Sequence, residues 1–257
     1  MNYVVMIKWG TGYPADEFNR TYRAALDHSP QGTKVLCLTD DPTGLDAGIE
    51  IATLPDIPLD RKKWTPGMWP KLSMFKPDVL PKGAKILYVD VDIAAVGDLS
   101  VLFDMIVPEK VQIIRDWKTY HEQWFPKLFP SNRTGNSSVL GFVAGENTDI
   151  WDRFVADPEG SFETLKNDQI FISEVAKSVD YLPEDLIGSF KKTVAPLPPL
   201  SWFSGCRPAK DCAIVAFHGK PGLDDLTLRN RSYLALLAEG FGRVQWIEDY
   251  LDKYDAS

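Results

Sequence analysis

Cysteine is scarce in this chain of 257 residues, which contains only Cys37, Cys206 and Cys212. Their number is odd and no two of them have the CxxC spacing, so the sequence indicates neither a disulfide framework nor a zinc–thiolate site. A cysteine content of this kind is typical of proteins from a reducing compartment. We therefore expect a cytoplasmic location.

Long apolar runs and an excess of positive charge are missing as well. The N-terminal apolar run, residues 3–7, is far shorter than a signal peptide or a membrane span, so we expect no transmembrane segment. The chain carries 28 Lys and Arg residues against 36 Asp and Glu residues, which gives a formal net charge of −8. A surface of that sign repels polyanions, and this argues against nucleic acid as a partner.

Several nucleotide-binding and catalytic motifs are absent from the sequence. It has no GxxxxGKS/T segment, which excludes a P-loop protein, and no GxSxG or HExxH segment, which argues against the hydrolases that carry them. Gly10 and Gly12 follow the first apolar run, but the third glycine of a dinucleotide-binding fingerprint is missing.

The chain does contain an alternation of strand-like and helix-like segments. Apolar runs predict strands at residues 3–9, 33–41, 50–58, 85–89, 110–117 and 137–145, and a strand that runs into a loop at 213–222. Helical spacing covers residues 16–28, 71–80, 150–157, 169–177 and 226–254. This alternation predicts an α/β fold whose mostly parallel sheet is covered on both faces. We expect a single domain over residues 1–257.

The strand at 85–89 runs into the triplet Asp90-Val91-Asp92. Extended residues i and i+2 point to the same side, so the two carboxylates converge on one point. Converging carboxylates suit a hard divalent cation such as Mg²⁺ or Mn²⁺. The alternative is a pair of Asp residues that cap a turn and a helix, and this pattern is common by chance.

The segment from His218 to Lys220 follows another strand-like run. Gly219 allows close approach of the backbone to a ligand, and Lys220 is a point charge suited to phosphate. An imidazole that completes a site with two carboxylates favours Mn²⁺ over Mg²⁺. The alternative for His218 is a purely structural role.

Three further features each have two interpretations. Asp168 opens a helix either as its N-cap or, with Gln169, as a polar pair that orients a hydroxylated ligand. Lys71 stands between apolar neighbours. It is either a surface lysine whose aliphatic stem covers apolar residues, or a residue that contacts a ligand. The aromatic residues of 117–129 are either core beneath a long loop or a stacking platform for sugar rings.

Five segments occur in an order that resembles one known family. They read ILYVDVD, GDLSVLF, NSSVLGF, NDQ and FHGKP. In these segments the chain is similar to the family 8 retaining glycosyltransferases, which include glycogenin and the bacterial lipopolysaccharide galactosyltransferases. The resemblance extends from the first strand to about Pro221. It implies a GT-A fold, a Rossmann-like sheet flanked by helices, with a nucleotide-sugar-binding half at 1–110 and an acceptor-binding and metal-completing half at 111–257.

The resemblance also implies a metal site and a reacting centre. Asp90 and Asp92 match the family's DxD motif, which binds Mn²⁺ and the sugar nucleotide, and His218 matches its third metal ligand. Asp168 and Gln169 match the pair at the reacting centre. The resemblance implies that Tyr13 contacts the base of the donor and that Lys71 touches the donor, as an Arg or Lys of the family often does. Asn136 and Ser137 would line the sugar, and Gly219 and Lys220 would contact the diphosphate.

One segment departs from the family's pattern. The family reads H-x-x-G-x-x-K-P where this chain has the shorter His218-Gly219-Lys220-Pro221. If the two patterns are aligned on Gly219, the family's histidine falls on Ala216 instead of His218.

The activity implied is transfer of a hexosyl group from a nucleotide diphosphate sugar, with UDP as the expected nucleotide, to a hydroxyl of a saccharide or another acceptor, with retention. Two alternatives stay open. One is a non-catalytic nucleotide-sugar-binding protein. The other is a haloacid-dehalogenase-type phosphatase that uses Asp90 and Asp92, although Ala94 stands where that class normally has Thr or Val.

Overall fold

The computed structural model of the protein describes residues 1–129, 133–197, 199–229 and 231–255. Its strands, numbered along the chain, are β1 (Asn2–Lys8), β2 (Lys34–Thr39), β3 (Glu50–Thr53), β4 (Lys85–Val89), β5 (Ile93–Ala95), β6 (Val111–Arg115), β7 (Gly135–Val143), β8 (Val179–Tyr181), β9 (Ile187–Ser189) and β10 (Ile214–Ala216). Seven of them form the central sheet in the order β3-β2-β1-β4-β7-β6-β8.

The central sheet is mostly parallel, as the alternation of elements predicts. β1 pairs in parallel with both β2 and β4, whereas β7 runs antiparallel to its neighbours β4 and β6. The carboxyl ends of β1, β2, β4 and β6 and the amino end of β7 therefore meet at one edge. Ligands of open α/β sheets bind outside the carboxyl ends of the strands, so this edge positions the candidate site.

The helices cover both faces of this sheet. They are α1 (Ala15–His28), α2 (Trp64–Gly67), α3 (Ser100–Met105), α4 (Tyr120–Trp124), α5 (Thr148–Ala156), α6 (Pro158–Leu165), α7 (Asp168–Val175), α8 (Tyr233–Ala238) and α9 (Gln245–Asp255). Short 3₁₀ helices occur at Arg61–Lys63, Trp69–Phe75, Leu200–Trp202 and Asp224–Leu226, and a π-helical turn at Phe190–Val194. In the described part of the chain, no helix is both long and apolar enough to cross a membrane.

Strand β1 explains why both faces need cover. Its alternate residues Val4 and Met6 pack into one apolar cluster, together with Phe18 of α1, and its residues Val5 and Ile7 pack into a second cluster on the other face. Successive side chains of a strand point to opposite faces, so a continuous apolar run such as β1 is stable only between two layers.

A small second sheet, in the order β5-β10-β9, lies beside the first and was not predicted. β10 runs antiparallel to β5, with Ala216 opposite Ile93. One step further, the Phe217 N–H donates to the Asp92 carbonyl at 2.8 Å. This pairing brings the segment that contains His218 next to the Asp90-Val91-Asp92 triplet, although the two are far apart in sequence.

Several predicted boundaries were wrong. The helix predicted over 71–80 is the 3₁₀ segment Trp69–Phe75, all of whose residues are buried. The final helical region, 226–254, is divided into α8 and α9. The strand predicted over 50–58 ends at Thr53, in front of a segment with three prolines before residue 67.

Candidate functional site

A buried lysine connects two carboxylates at the carboxyl edge of the sheet. The Lys71 Nζ lies 2.8 Å from Asp90 Oδ1 and donates to Asp90 Oδ2 at 3.0 Å. It also donates to Ser137 Oγ at 3.2 Å and lies 3.9 Å from Asp168 Oδ2. The interpretation of Lys71 as a surface lysine is wrong, because only 2 % of the residue is exposed.

The ammonium group of Lys71 stays charged despite its burial. Burial by itself lowers the pKa of Lys71, but the carboxylates of Asp90 and Asp168 outweigh this effect and raise the pKa above its usual value. A buried charge is stable only when it is paired and hydrogen-bonded. Lys71, Asp90 and Asp168 therefore form one electrostatic unit, which we call the Lys71 cluster.

Tyr88 belongs to this site, although sequence analysis did not single it out. Its hydroxyl donates to Asp90 Oδ1, and burial raises the pKa of Tyr88 well above its usual value, so the phenol is a neutral donor. Residues i and i+2 of a strand share a face. The alternation that brings Asp90 and Asp92 together also places Tyr88 beside Asp90, and this signal was present in the sequence.

Asp168 is not the N-cap of its helix. Asn167 has that role, because its side chain accepts from the Ile170 N–H at 2.9 Å. Asp168 is 2 % exposed, and burial raises its pKa to about 6 against the opposing effect of Lys71. Its Oδ2 atom has no hydrogen-bond partner among the described residues. A buried acceptor of this kind is suited to a hydroxyl group of a ligand.

Gln169 and Asn136 are the sequence neighbours of Asp168, a member of the Lys71 cluster, and of Ser137, which contacts Lys71. Gln169 is half-buried, and its carbonyl accepts from Ser173 Oγ at 2.7 Å. Asn136 is the second residue of β7, and its side-chain oxygen accepts a hydrogen bond from the Ser138 N–H at 2.9 Å. The neighbouring Ser137 contacts Lys71, so the NSSVLGF segment joins the Lys71 cluster through Ser137.

Asp92 differs from Asp90 in its surroundings. Burial raises the pKa of Asp92 to about 7, and the nearby negative charge of Asp90 acts in the same direction. A carboxylate whose ionised form is destabilised in this way gains from a bound cation.

The backbone of the segment that contains His218 lies next to the Asp90-Val91-Asp92 triplet, but the His218 ring contacts other residues. Its Nε2 atom is 2.7 Å from Ser189 Oγ, and the ring stacks on Trp117 with the centroids 5.1 Å apart. Burial lowers the pKa of His218, which favours a neutral ring. Within the described ranges, no three His, Cys, Asp or Glu side chains are grouped as metal ligands would be. The structure therefore does not bring His218 together with Asp90 and Asp92.

The segment after His218 is a loop organised by a carboxylate. Gly219 has a φ of +68°, which favours glycine. Lys220 is highly exposed, and its Nζ lies 2.7 Å from Asp225 Oδ2. The same Asp225 carboxylate accepts from the Gly222 N–H and lies 3.0 Å from Arg231 Nη2.

Two cavities meet at Asp92. The first, of about 360 Å³, is lined by residues 7–13, Arg61, Tyr88 and 90–92 and is called the strand-edge cavity below. The second, of about 310 Å³, is called the loop cavity, and its lining includes Glu17 and Arg20 of α1, Phe217, Gly219, Lys220 and residues 222–225. Tyr13, Val91 and Asp92 line both. Tyr13 is 43 % exposed, so its ring is accessible at the boundary.

The aromatic residues of 117–129 differ in how far they are exposed to solvent. Trp117 is core, with 3 % exposed, whereas Trp124, Phe125 and Phe129 are between 48 % and 63 % exposed. Trp117 is therefore core beneath the loop, whereas the later aromatic residues face outward, and their use as a stacking platform for sugar rings stays a prediction.

The donor set fits a hard divalent cation that is shared with a ligand. Mg²⁺ is commonly held by one or two carboxylates together with the phosphates of a substrate, and Mn²⁺ also accepts oxygen ligands. Asp92, with its raised pKa, and Asp90, whose oxygens are already hydrogen-bonded to Lys71 and Tyr88, supply such carboxylates at the junction of the two cavities.

No protein-family model matches the sequence, and no curated protein matches it. Solved structures do match. The chain is similar to the galactosyltransferase LgtC in complex with donor and acceptor sugar analogues, with 12 % identity, a TM-score of 0.59, and coverage of 99 % of this chain and 97 % of that one.

Two larger proteins match as well. The glycosyltransferase GlyE of Streptococcus pneumoniae has 15 % identity and a TM-score of 0.59, and this chain spans 61 % of its length. The bifunctional glycosyltransferase WbbM has 12 % identity and a TM-score of 0.54, and this chain spans 51 % of its length. At these identities the likeness concerns the fold. It confirms the predicted GT-A-type α/β architecture, and with it the resemblance to the family at the level of fold.

Proposed function

We propose that this protein is a glycosyltransferase that moves a hexosyl group from a nucleotide diphosphate sugar, with UDP as the nucleotide, to an acceptor hydroxyl. The observation that carries the proposal is the Lys71 cluster at the carboxyl edge, next to a cavity that reaches Asp90 and Asp92. The similarity in fold to LgtC, a galactosyltransferase solved with donor and acceptor sugar analogues, supports the same class of reaction.

In this proposal, Asp90 and Asp92 hold Mn²⁺ or Mg²⁺ together with the diphosphate of the donor. The cation supplies Lewis acidity toward the negative charge that develops on the leaving diphosphate. Lys71 and Tyr88 keep the Asp90 carboxylate in one orientation through their hydrogen bonds. Lys220 lines the loop cavity. Its ammonium group, once released from Asp225, contributes a positive charge next to the diphosphate.

At the other end of the donor, Asp168 holds hydroxyl groups of the transferred sugar. Its Oδ2 atom, without a hydrogen-bond partner in the described part of the chain, is the acceptor available for them. Gln169 lies beneath the anomeric carbon in this proposal. The acceptor hydroxyl attacks that carbon from the face that the diphosphate leaves, so the new glycosidic bond forms as the bond to the diphosphate breaks, and the hydroxyl proton passes to the leaving diphosphate. Attack from that face gives retention of configuration and needs no carboxylate nucleophile.

The test is a donor screen with product analysis. UDP-sugars are incubated with the protein and a set of sugar acceptors, with and without Mn²⁺, and the product anomers are identified by NMR. We expect turnover of at least one UDP-sugar that requires Mn²⁺ and yields a retained anomer. Metal-independent turnover contradicts the role of the cation, and an inverted product contradicts attack from the same face.

A nucleotide-sugar-binding protein without activity is the second candidate, and the engagement of His218 with Ser189 favours it because the metal then has no third protein ligand. Binding of UDP-sugars with neither transfer nor hydrolysis in the same screen would support this candidate and exclude the enzyme.

A further inference from the structure

Arg61 and Asp40 join three chain segments at the strand-edge cavity. The Asp40 carboxylate follows β2 and accepts from the Gly10 N–H, which follows β1, at 3.1 Å. The same carboxylate is ion-paired with the guanidinium of Arg61. Arg61 lines the cavity, and Gly10 has a φ of +59° that favours glycine. A Cβ atom at Gly10 would lie 3.8 Å from Arg61 Nη2, so the guanidinium passes close to the bare backbone there.

The guanidinium of Arg61 is supported on one side by an aromatic ring. Its Cζ atom lies over Trp64, 5.1 Å from the ring centroid. Trp64 is in turn fixed by a hydrogen bond from its indole N–H to the Leu59 carbonyl at 3.0 Å. A guanidinium is planar and stacks on flat π-systems. Held by Asp40 and backed by Trp64, Arg61 has a defined orientation although the side chain is 62 % exposed.

The order of the strands sets where Arg61 lies relative to the carboxylates of the triplet. Asp40 follows β2, Gly10 follows β1 and Asp90 follows β4, and these three strands are consecutive in the sheet. Adjacent strands are about 4.8 Å apart, so the ends of β2 and β4 are separated by roughly 10 Å. In a nucleoside diphosphate, one ribose separates the base from the diphosphate, which is a span of this order.

We propose that Arg61 stacks its guanidinium on the base of the nucleotide, with Trp64 behind it and Asp40 as the residue that positions it. The inference rests on the proposed function, because it places the diphosphate at Asp90 and Asp92. It assigns the part of the strand-edge cavity beside Arg61 to the base, which Tyr13, another lining residue of the same cavity, is also expected to contact. It gives a binding role to a basic residue of a proline-rich segment.

The experiment measures binding of two ligands, UDP and uridine, to the full chain. UDP is titrated by calorimetry in the presence of Mn²⁺, and uridine by NMR. The variants are Arg61→Gln, which removes the guanidinium, and Arg61→Lys, which keeps the positive charge but lacks a planar group that could stack on a base. Lys62→Gln is the matched control, because it removes one positive charge from the adjacent residue, which does not line the cavity. Thermal unfolding of each variant checks that it is folded.

We expect Arg61→Gln to weaken UDP and uridine binding by the same factor, about three- to tenfold. Arg61→Lys should resemble Arg61→Gln, and Lys62→Gln should bind both ligands as the wild type does. Asp40→Asn, which loosens the guanidinium without removing it, should weaken both ligands by a smaller factor.

Four results would overturn the inference. If Arg61→Gln weakens UDP but not uridine, or if Arg61→Lys restores binding, Arg61 acts as a charge on the diphosphate and not on the base. If Arg61→Gln binds both ligands as tightly as the wild type, Arg61 has no role in binding, while the proposed function stands. If the wild type binds neither ligand, the nucleotide site and the proposed function fail together with this inference.

Discussion

The Lys71 ammonium and the Asp90 carboxylate are joined in the interior of the protein, with Nζ and Oδ1 2.8 Å apart. Lys71 stands in a 3₁₀ segment whose residues are all buried, and Asp90 stands at the end of β4. Their pairing ties the loop-rich segment 54–76 to the carboxyl edge of the sheet. The Lys71 ammonium also provides the positive charge next to the Asp168 carboxylate and donates to the Ser137 hydroxyl.

Loss of Lys71 should leave the buried carboxylate of Asp168 and the partly buried carboxylate of Asp90 without their cation. Removing one partner of a buried ion pair typically costs about 3–5 kcal/mol. We expect Lys71→Met to lower the free energy of unfolding by about that amount and to abolish donor binding. Urea unfolding measures the first effect. Lys76→Met, which removes a half-buried lysine directly after the same 3₁₀ segment, is the control and should cost far less. Equal losses in both variants would contradict the special role of Lys71.

Asp168 should make stability depend on pH. Its pKa is about 6 in the folded protein, above its usual value of 3.8, so the folded state holds the proton more tightly than the unfolded state does. The resulting stabilisation is complete below about pH 4 and is lost as the pH rises to about 6. We expect the wild type to lose about 2–3 kcal/mol over this range relative to Asp168→Asn. Urea unfolding at pH 4, 5 and 6 measures the difference, and parallel profiles for the two proteins would contradict it.

Ser189 should compete with a metal ion for His218. The hydrogen bond between Ser189 Oγ and His218 Nε2 occupies a ring nitrogen that a metal would need. If His218 is the third ligand, Ser189→Ala should raise the affinity for Mn²⁺ in the presence of UDP by about two- to tenfold, since a neutral hydrogen bond contributes about 0.5–1.5 kcal/mol. Manganese EPR titration measures the affinity. An unchanged affinity in both Ser189→Ala and His218→Ala would remove His218 from the metal site.

Asp225 should compete with a diphosphate for Lys220. The pair is exposed on the lysine side, so its contribution is small. We expect Asp225→Asn to tighten UDP binding by no more than about fivefold, and to have no effect when Lys220→Gln is also present. Arg231→Gln, which removes another partner of the same carboxylate, is the control and should leave UDP affinity unchanged. Weaker UDP binding in Asp225→Asn would mean that Asp225 holds the loop in its binding conformation instead.

The sequence was sufficient for the main sheet and for the position of the Asp90-Val91-Asp92 triplet at the end of β4. The continuous apolar runs of β1 and β4 can be buried only between two layers, and the residues that follow them must then meet at one edge. For this reason the Asp90-Val91-Asp92 triplet was predicted at that edge, whereas Asn136 and Ser137 at the start of β7 were implied only by the resemblance to the family. The similarity in fold to known glycosyltransferases agrees with the predicted sheet.

Other parts of the site depend on tertiary contacts that no local pattern encodes. The three residues of β10 pair with β5 across more than a hundred residues of chain, and this pairing places the backbone segment that contains His218, though not its ring, beside the triplet. Lys71 has apolar neighbours whether it is exposed or buried, so its ion pair with Asp90 is not visible in the sequence. The contact of Arg61 with Asp40 likewise depends on how a proline-rich loop returns to the sheet.

The most direct test of the central claim is the binding of UDP to the wild type and to Asp92→Asn, with Mn²⁺ and with EDTA, measured by calorimetry. We predict that Mn²⁺ strengthens UDP binding to the wild type at least tenfold, because Asp90 and Asp92 hold the cation against the diphosphate. Asp92→Asn should bind UDP weakly and equally in both conditions. A wild type whose affinity for UDP does not change with Mn²⁺, or an Asp92→Asn variant with the full metal effect, would contradict the account.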